Sequence, residues 1–232
     1  MKYYFLFILT HIIVTSVKSQ PDDRIVHWEL AVPISYSLNE RWKLNTTIAN
    51  RNGFYENEDE TDAQSFLVNF IEVTQYATYR AGNNFSLTLG YRYRDREPFE
   101  GVALYEHRLI QQLGYVHFRS PTRLASRLQT EQRWRNEPFT SRIRYRLSLD
   151  RPFNGEKLEL GEYYFIFSDE LVSEFARSER STLENRFAAG VGRLWSKGLR
   201  LQLDIQLRSD DVFDDTDHTI FVLTNFYIRL QQ

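Results

Sequence analysis

A strict alternation of apolar and polar side chains runs through several segments of this chain. It is clearest in residues 84–94, 139–149 and 199–208. In 199–208 every odd position is Leu or Ile, whereas the even positions are Arg, Gln or Asp. Successive side chains of a β-strand point to opposite faces, so each segment is predicted to be a strand with one apolar and one polar face.

Weaker alternation covers most of the remaining chain. It predicts eleven strands, near residues 26–38, 42–51, 64–79, 84–94, 103–117, 122–135, 139–149, 159–172, 183–195, 198–208 and 218–230. Turn residues follow every second strand, at 38–40, 81–83, 120–121, 154–155 and 196–198. The other connections are longer and more charged (52–63, 95–102, 173–182 and 209–217), apart from a short one at 136–138. Short turns on one rim and long loops on the other are typical of an outer-membrane barrel.

The predicted fold is therefore all-β: a single antiparallel transmembrane β-barrel of 10–12 strands, with short periplasmic turns and longer extracellular loops. Bacterial single-chain barrels normally have an even number of strands and both termini on the short-turn side. Ten or twelve strands are therefore expected in place of eleven. Either one segment is not a strand, or the N-terminal segment lies inside the lumen.

The first nineteen residues have the layout of a secretory signal peptide. Lys2 precedes an apolar run at 3–17, and Val17 and Ser19 occupy the −3 and −1 positions before Gln20. A membrane anchor is the alternative, but the run is shorter than the roughly 20 residues of a spanning helix. We expect cleavage after Ser19, one β-barrel domain at 20–232, and a location in the cell outer membrane.

The basic residues are unusual in type. Beyond residue 19 the chain has 24 Arg but three Lys, and it has no Cys. Arg is preferred where a cation must pair with carboxylates in a confined space. The absence of Cys excludes disulfides, thiolate metal sites and a cysteine nucleophile. The net charge of −2 gives no reason to expect a nucleic-acid partner.

Alternation alone does not decide which face points inward. A soluble, lipocalin-like periplasmic carrier would show the same pattern with its apolar face inside. The Arg bias, the strand lengths and the signal peptide favour the membrane barrel. So do four tryptophans near predicted strand ends, where an interfacial aromatic girdle would lie: Trp28, Trp42, Trp134 and Trp195.

The chain also resembles a bacterial family of proteins of unknown function, numbered 2490. The resemblance rests on HWEL at 27–30, RWKL at 41–44, LGYRY at 89–93, EHRL at 106–109 followed by Gln112, RLASRL at 123–128, EQR at 131–133, RIRYR at 142–146, and ENR at 184–186 before Gly190 and Gly192. It implies an outer-membrane-type barrel in a Bacteroidota-like organism. It carries no established activity and therefore no catalytic residues.

Charged residues on the polar phase form the candidate functional set. The predicted lumen-lining residues are Arg92, Arg94, Glu106, Arg108, Arg123, Arg127, Glu131, Arg133, Arg142, Arg144, Arg146, Glu162, Glu184, Arg186, Arg200, Asp204 and Arg208, together with Glu170. They could line an anion-selective, porin-like narrow pore. Alternatively, they could form a packed ion-pair network that fills a narrow barrel.

Catalysis and metal binding are weaker hypotheses. His107 and Ser126 lie on adjacent predicted strands, on the lipid-facing phase, as in a lipid-acting enzyme of phospholipase or deacylase type, but no Gly-x-Ser-x-Gly motif or third partner accompanies them. Two acidic loops, at 56–62 and 210–217, lack calcium-loop spacing and are interpreted as a hydrated rim.

We predict no catalytic residue, no cofactor and no metal site. The expected partners are outer-membrane lipid and, during biogenesis, the barrel-assembly machinery. The strand at 219–230 resembles the C-terminal strand by which outer-membrane barrels are recognised for assembly, except that it lacks a terminal aromatic residue.

Overall fold

The computed structural model describes residues 24–56, 64–99, 104–135, 139–176, 181–212 and 216–230. All eleven predicted strands are confirmed within them: β1 (Arg24–Ser37), β2 (Trp42–Glu56), β3 (Gln64–Arg80), β4 (Phe85–Arg96), β5 (Leu104–Phe118), β6 (Arg123–Arg135), β7 (Thr140–Pro152), β8 (Tyr163–Ala176), β9 (Thr182–Ser196), β10 (Leu199–Asp210) and β11 (Asp217–Leu230). The predicted signal peptide, 1–19, lies outside the described residues. No helix in the described part is long and apolar enough to cross a membrane.

The strands form one closed barrel in sequence order, and β1 pairs with β11 to complete it. The expected even number is wrong, because the described residues contain eleven strands. Each strand runs antiparallel to the next, so the first and eleventh strands of an odd set run in the same direction. The closing pair is accordingly parallel, with Val26 opposite Ile220 and Tyr36 opposite Leu230. The other ten pairings are antiparallel, as predicted.

The rims differ as the turn sequences indicate. The turn between β1 and β2 is set by Asn39, whose Oδ1 accepts hydrogen bonds from the backbone N–H groups of Arg41 (2.9 Å) and Trp42 (2.8 Å). The longest connection on this short-turn rim is 153–162. There β8 begins at Tyr163, four residues later than the predicted 159, and Gly155 and Gly161 adopt positive φ angles of 68° and 84°.

The apolar face of each strand points out of the barrel. On β10, Leu203 and Ile205 are 52% and 63% exposed, whereas Asp204 between them is 6% exposed. Glu106 and Glu131 are fully buried on the inner face. A lipocalin-like carrier requires the opposite orientation, with its apolar face inside.

Aromatic side chains gather near both rims on the outer face. Trp42 packs on Tyr79 near the short turns, with ring centroids 5.0 Å apart. Trp134 packs on Phe139 near the long loops, at 5.6 Å. Trp195 lies at the end of β9 and is well exposed, whereas Trp28 lies within β1 and donates to Thr224 Oγ1 at 3.1 Å. Three of the four tryptophans therefore lie close to strand ends.

Candidate functional site in the barrel interior

The inner face of β5 to β9 carries one connected network of ion pairs. Its described members are five glutamates (106, 131, 170, 174 and 184) and seven arginines (108, 127, 133, 135, 142, 144 and 186). These residues come from consecutive strands whose polar phases share one face. A carboxylate of one strand therefore meets guanidinium groups of the next strand, either directly opposite, as Glu174 meets Arg142, or on the diagonal, as Glu131 meets Arg144. The alternation seen in the sequence thereby becomes a continuous layer of charge inside the barrel.

Glu131 lies at the centre of this network. Its Oε1 accepts hydrogen bonds from Arg144 Nη1 at 2.8 Å and Gln129 Nε2 at 2.6 Å, and its Oε2 accepts one from Arg108 Nη1 at 3.1 Å. Water does not reach the side chains of Glu131 and Glu106, and that of Arg108 is 3% exposed. Buried charges are tolerated only when they are paired and hydrogen-bonded, and this carboxylate meets both conditions.

Glu106 forms a second centre, closer to the long loops. Its Oε2 accepts hydrogen bonds from Arg133 Nη2 at 2.8 Å and Arg135 Nε at 2.6 Å, and its Oε1 contacts Arg108 Nε. Arg133 continues to Glu174 at 2.9 Å, and Glu174 also contacts Arg142. One carboxylate thus holds three guanidinium groups from two strands.

Two smaller clusters complete the charged interior. On β3 and β4, Glu72 pairs with Arg94 at 2.5 Å and Arg92 at 3.5 Å. Near the closing seam, Glu29 of β1 pairs with Arg51 at 2.8 Å and lies 3.9 Å from Arg208. Aromatic rings support these cations: the Arg51 and Arg208 guanidinium carbons lie 4.8 and 3.6 Å from the centroid of the buried Phe221 ring, and Arg94 stacks on Phe70 at 3.7 Å.

Glycines on β9 make room for bulky polar groups. Gly192 faces Tyr164 across the β8–β9 pairing, and a Cβ atom there would lie 2.1 Å from Tyr164 Cζ. At Gly190 a Cβ atom would lie 2.0 Å from Asp204 Oδ1. The buried Tyr164 hydroxyl donates to Gln202 at 2.8 Å, and Gln202 donates to Asp204 at 2.8 Å. The two glycines therefore allow a polar chain to cross from β8 to β10.

Most predicted lumen residues lie on the inner face, in the three clusters or beside them. Arg146 donates to Ser168 Oγ at 2.8 Å, and Arg200 lies against the Tyr164 and Tyr227 rings. Arg123 differs: it pairs with Asp150 at 2.7 Å at the short-turn rim, with its side chain 46% exposed. Glu162 lies before β8, outside the strands, where its carboxylate accepts a hydrogen bond from the Glu159 N–H.

Five residues of the network and the two smaller clusters lie outside the predicted set: Glu29, Arg51, Glu72, Arg135 and Glu174. Four of them lie on segments where alternation is weak or near the ends of strands. The sequence does carry a signal for Glu72: it and Thr74 are polar residues two positions apart on β3, so both lie on one face of the strand.

The proposed hydrolase pair does not come together. His107 and Ser126 lie on adjacent strands and on the outer face, but His107 is opposite Trp134 and Ser126 is opposite Tyr115. This offset of eight residues separates them by about 26 Å at the usual strand rise. Ser126 Oγ instead lies 3.1 Å from His117 Nε2, and His107 Nδ1 lies 2.6 Å from Tyr91 Oη.

The acidic loops lie largely outside the described residues, which omit 57–63 and 213–215. Within the described ranges, no group of three or more His, Cys, Asp or Glu side chains is arranged to hold a metal ion.

Comparison with curated proteins and with solved structures gave no match. A family model described as "protein of unknown function (DUF2490)" matches residues 28–219, from β1 to the start of β11. The match thus spans β2 to β10 in full and every residue of the ion-pair network. Because it covers most of the chain, the protein belongs to the DUF2490 family.

Proposed function

We propose that this protein is an outer-membrane β-barrel whose interior is closed by the ion-pair network, so that its role is structural or binding and not conduction. In this proposal residues 1–19 direct export and are removed. The short turns face the periplasm and the longer loops face outward, as in a Bacteroidota-like outer membrane.

The proposal that the barrel lies in a membrane rests on the outward orientation of the apolar face of its strands. Leu89, Leu203 and Ile205 are each more than half exposed on the outer face, among many other large apolar side chains. A water-soluble protein rarely leaves an apolar surface of that extent uncovered. The strands, 12 to 17 residues long, exceed the roughly 9–11 residues that cross a bilayer when tilted. Lipid tails would cover this belt, and the aromatic residues at both rims would lie at the headgroups.

The proposal that the lumen is closed rests on the burial of the charged side chains. A barrel of eleven strands is intermediate between those filled by side chains and porins with an aqueous channel. Here Glu106, Glu131, Arg108 and Arg133 are at most 4% exposed, although all lie on the inner face. A water-filled path beside them would raise these exposures.

Single-channel recording in a planar bilayer tests the proposal, using the mature chain refolded in detergent. We expect no conductance steps, with insertion verified by flotation with vesicles and folding by heat-modifiable gel migration. The double variant Glu131→Ser/Arg144→Ser removes an ion pair from the centre without changing net charge and should produce small steps. The matched control is Arg123→Ser/Asp150→Ser at the rim, which should stay silent. Steps in the wild-type protein would overturn the closed lumen, and failure to float would overturn the membrane location.

A lipid-acting hydrolase is the second candidate, favoured by the contact between Ser126 Oγ and His117 Nε2 on the outer face. A serine beside a histidine on a lipid-facing surface has the first two groups of a nucleophilic site. A phospholipase assay on the refolded protein tests it. Activity lost in Ser126→Ala and His117→Ala but kept in His107→Ala would support it, and no activity in the wild type would exclude it.

A further inference from the structure

A cavity of about 280 Å³ lies in the short-turn half of the barrel, and its wall comes from strands β5 to β8, β10 and β11. Four arginines line it: Arg123, Arg127, Arg146 and Arg200. The one carboxylate among the described lining residues is Asp150, which already pairs with Arg123 at 2.7 Å. The cavity wall is therefore richer in positive than in negative charge.

Arg146 shows why this charge is not neutralised from within. It faces Glu170 across the β7–β8 pairing. However, Glu170 Oε1 accepts from Arg127 Nη2 and Oε2 accepts from Arg144 Nη2, both at 2.6 Å. Among the described residues Arg146 bonds instead to Ser168 Oγ, and its buried Nε has no hydrogen-bond partner.

Among the described residues, Arg200 is the second arginine of the cavity wall without a carboxylate ion-pair partner. Its guanidinium lies 4.4 Å from the Tyr227 ring centroid and 5.4 Å from that of Tyr164. Aromatic faces hold a cation without neutralising it. The nearby buried carboxylate of Asp204 accepts its hydrogen bonds from the Gln202 and Asn225 amides.

Guanidinium groups with free donors bind oxyanions through strong, charge-assisted and often bidentate hydrogen bonds. The cavity also has an apolar part, with Val116, Ala125 and Ile166 beside the two tyrosines. Its volume equals that of about nine water molecules, which suits a small organic ion. We propose that this cavity binds a small organic anion through a phosphate group held by Arg146 and Arg200. This goes beyond the proposed function and does not depend on the barrel lying in a membrane.

Isothermal titration calorimetry on the refolded mature protein tests the site with three probes: inorganic phosphate, glycerol phosphate and dihexanoyl phosphatidic acid. We expect saturable binding of at least one probe, and weakening by about tenfold or more in Arg146→Gln and in Arg200→Gln. Arg193→Gln removes a guanidinium that lies against Tyr163 and Trp195, on the outer face, and should bind like the wild type. Tighter binding of the phosphatidic acid would identify the ligand as a lipid headgroup. Tighter binding of glycerol phosphate would identify it as a free organic phosphate.

A second variant keeps the proposal testable if the arginine variants do not fold. Ser148→Asp places a carboxylate on the cavity wall between Arg146 and Asp150 on the inner face of β7, where it would compete with the ligand. We expect this variant to fold, as judged by heat-modifiable migration, and to lose phosphate binding. The proposal is overturned if none of the three probes binds saturably to the folded wild type, or if binding is unchanged in the folded variants.

Discussion

Single residues set how closely the inner faces of neighbouring strands pack. Gly192 faces Tyr164 on the adjacent strand, and the phenol occupies the space where a side chain at 192 would lie. Tyr164 is 3% exposed and hydrogen-bonded through its hydroxyl, so it has little freedom to move away. This position therefore tolerates no side chain without rearrangement of the polar chain to β10.

We expect Gly192→Ala to destabilise the barrel by about 1–3 kcal/mol, because overpacking forces neighbouring side chains out of their rotamers. The free energy of unfolding can be measured by urea titration in detergent, with tryptophan fluorescence as the probe. Gly82→Ala is the matched control, since no atom lies within 4 Å of a Cβ added there. Tyr164→Leu should restore part of the stability lost in Gly192→Ala, and equal effects at 82 and 192 would contradict the interpretation.

Along a single element, residues of one type can have different roles. The inner face of β7 carries Arg142, Arg144 and Arg146 in succession. Arg144 bonds to both Glu131 and Glu170, whereas Arg146 bonds to Ser168 among the described residues. The strand thus passes from the middle of the ion-pair network into the cavity, and we expect its central arginine to contribute most to stability.

Arg144→Gln should lower the free energy of unfolding by about 3 kcal/mol, because it removes one partner from a buried pair network. Arg146→Gln should cost less than about 1.5 kcal/mol, because it removes one hydrogen bond to a neutral group. Urea unfolding of both variants in detergent compares them directly. Equal losses of unfolding free energy at 144 and 146 would contradict the different roles assigned to these two arginines of β7. An unchanged free energy of unfolding after replacement of Arg142, Arg144 and Arg146 together would exclude a structural role for all three.

For the whole molecule, the parallel pairing of β1 with β11 places the start of the first strand and the end of the last strand at opposite rims. β1 begins at Arg24 on the long-loop rim, and β11 ends at Leu230 on the short-turn rim. If the chain is cleaved after Ser19, as proposed, the four residues before β1 span about 14 Å at most even when fully extended, which is less than a bilayer core of about 30 Å. In the proposed membrane orientation, the mature N-terminus and the C-terminus are therefore on different sides.

An epitope tag placed after Gln20 should be accessible to antibody on intact cells. The same tag placed after Gln232 should react after the outer membrane is permeabilised. A tag on an internal periplasmic protein controls for leakage. Reaction of both tags under the same condition would contradict the parallel closure, because an even-stranded barrel would place both ends on one side.

The sequence by itself determined the strands and their two faces. Alternation with period 2 is a local property, so it predicted all eleven strands and assigned residues such as Glu131 and Arg144 to one phase. Turn residues also distinguished the two rims, because Gly, Asn and Pro set backbone geometry over a few residues. The sequence pattern predicts Glu162 in the lumen because it starts β8 at 159, whereas the strand begins at Tyr163. Strand ends depend on pairing partners as well as on local sequence.

Only the tertiary structure decided which phase points inward, how the barrel closes and which charges meet. The same alternation fits either orientation, and closure depends on the pairing of two strands nearly 200 residues apart. Strand register places Ser126 beside His117 and far from His107. It also leaves Arg146 without a hydrogen bond to a carboxylate among the described residues, because Arg127 and Arg144 already occupy the oxygens of the opposite Glu170. Register and closure arise from contacts between distant segments, which no local pattern records.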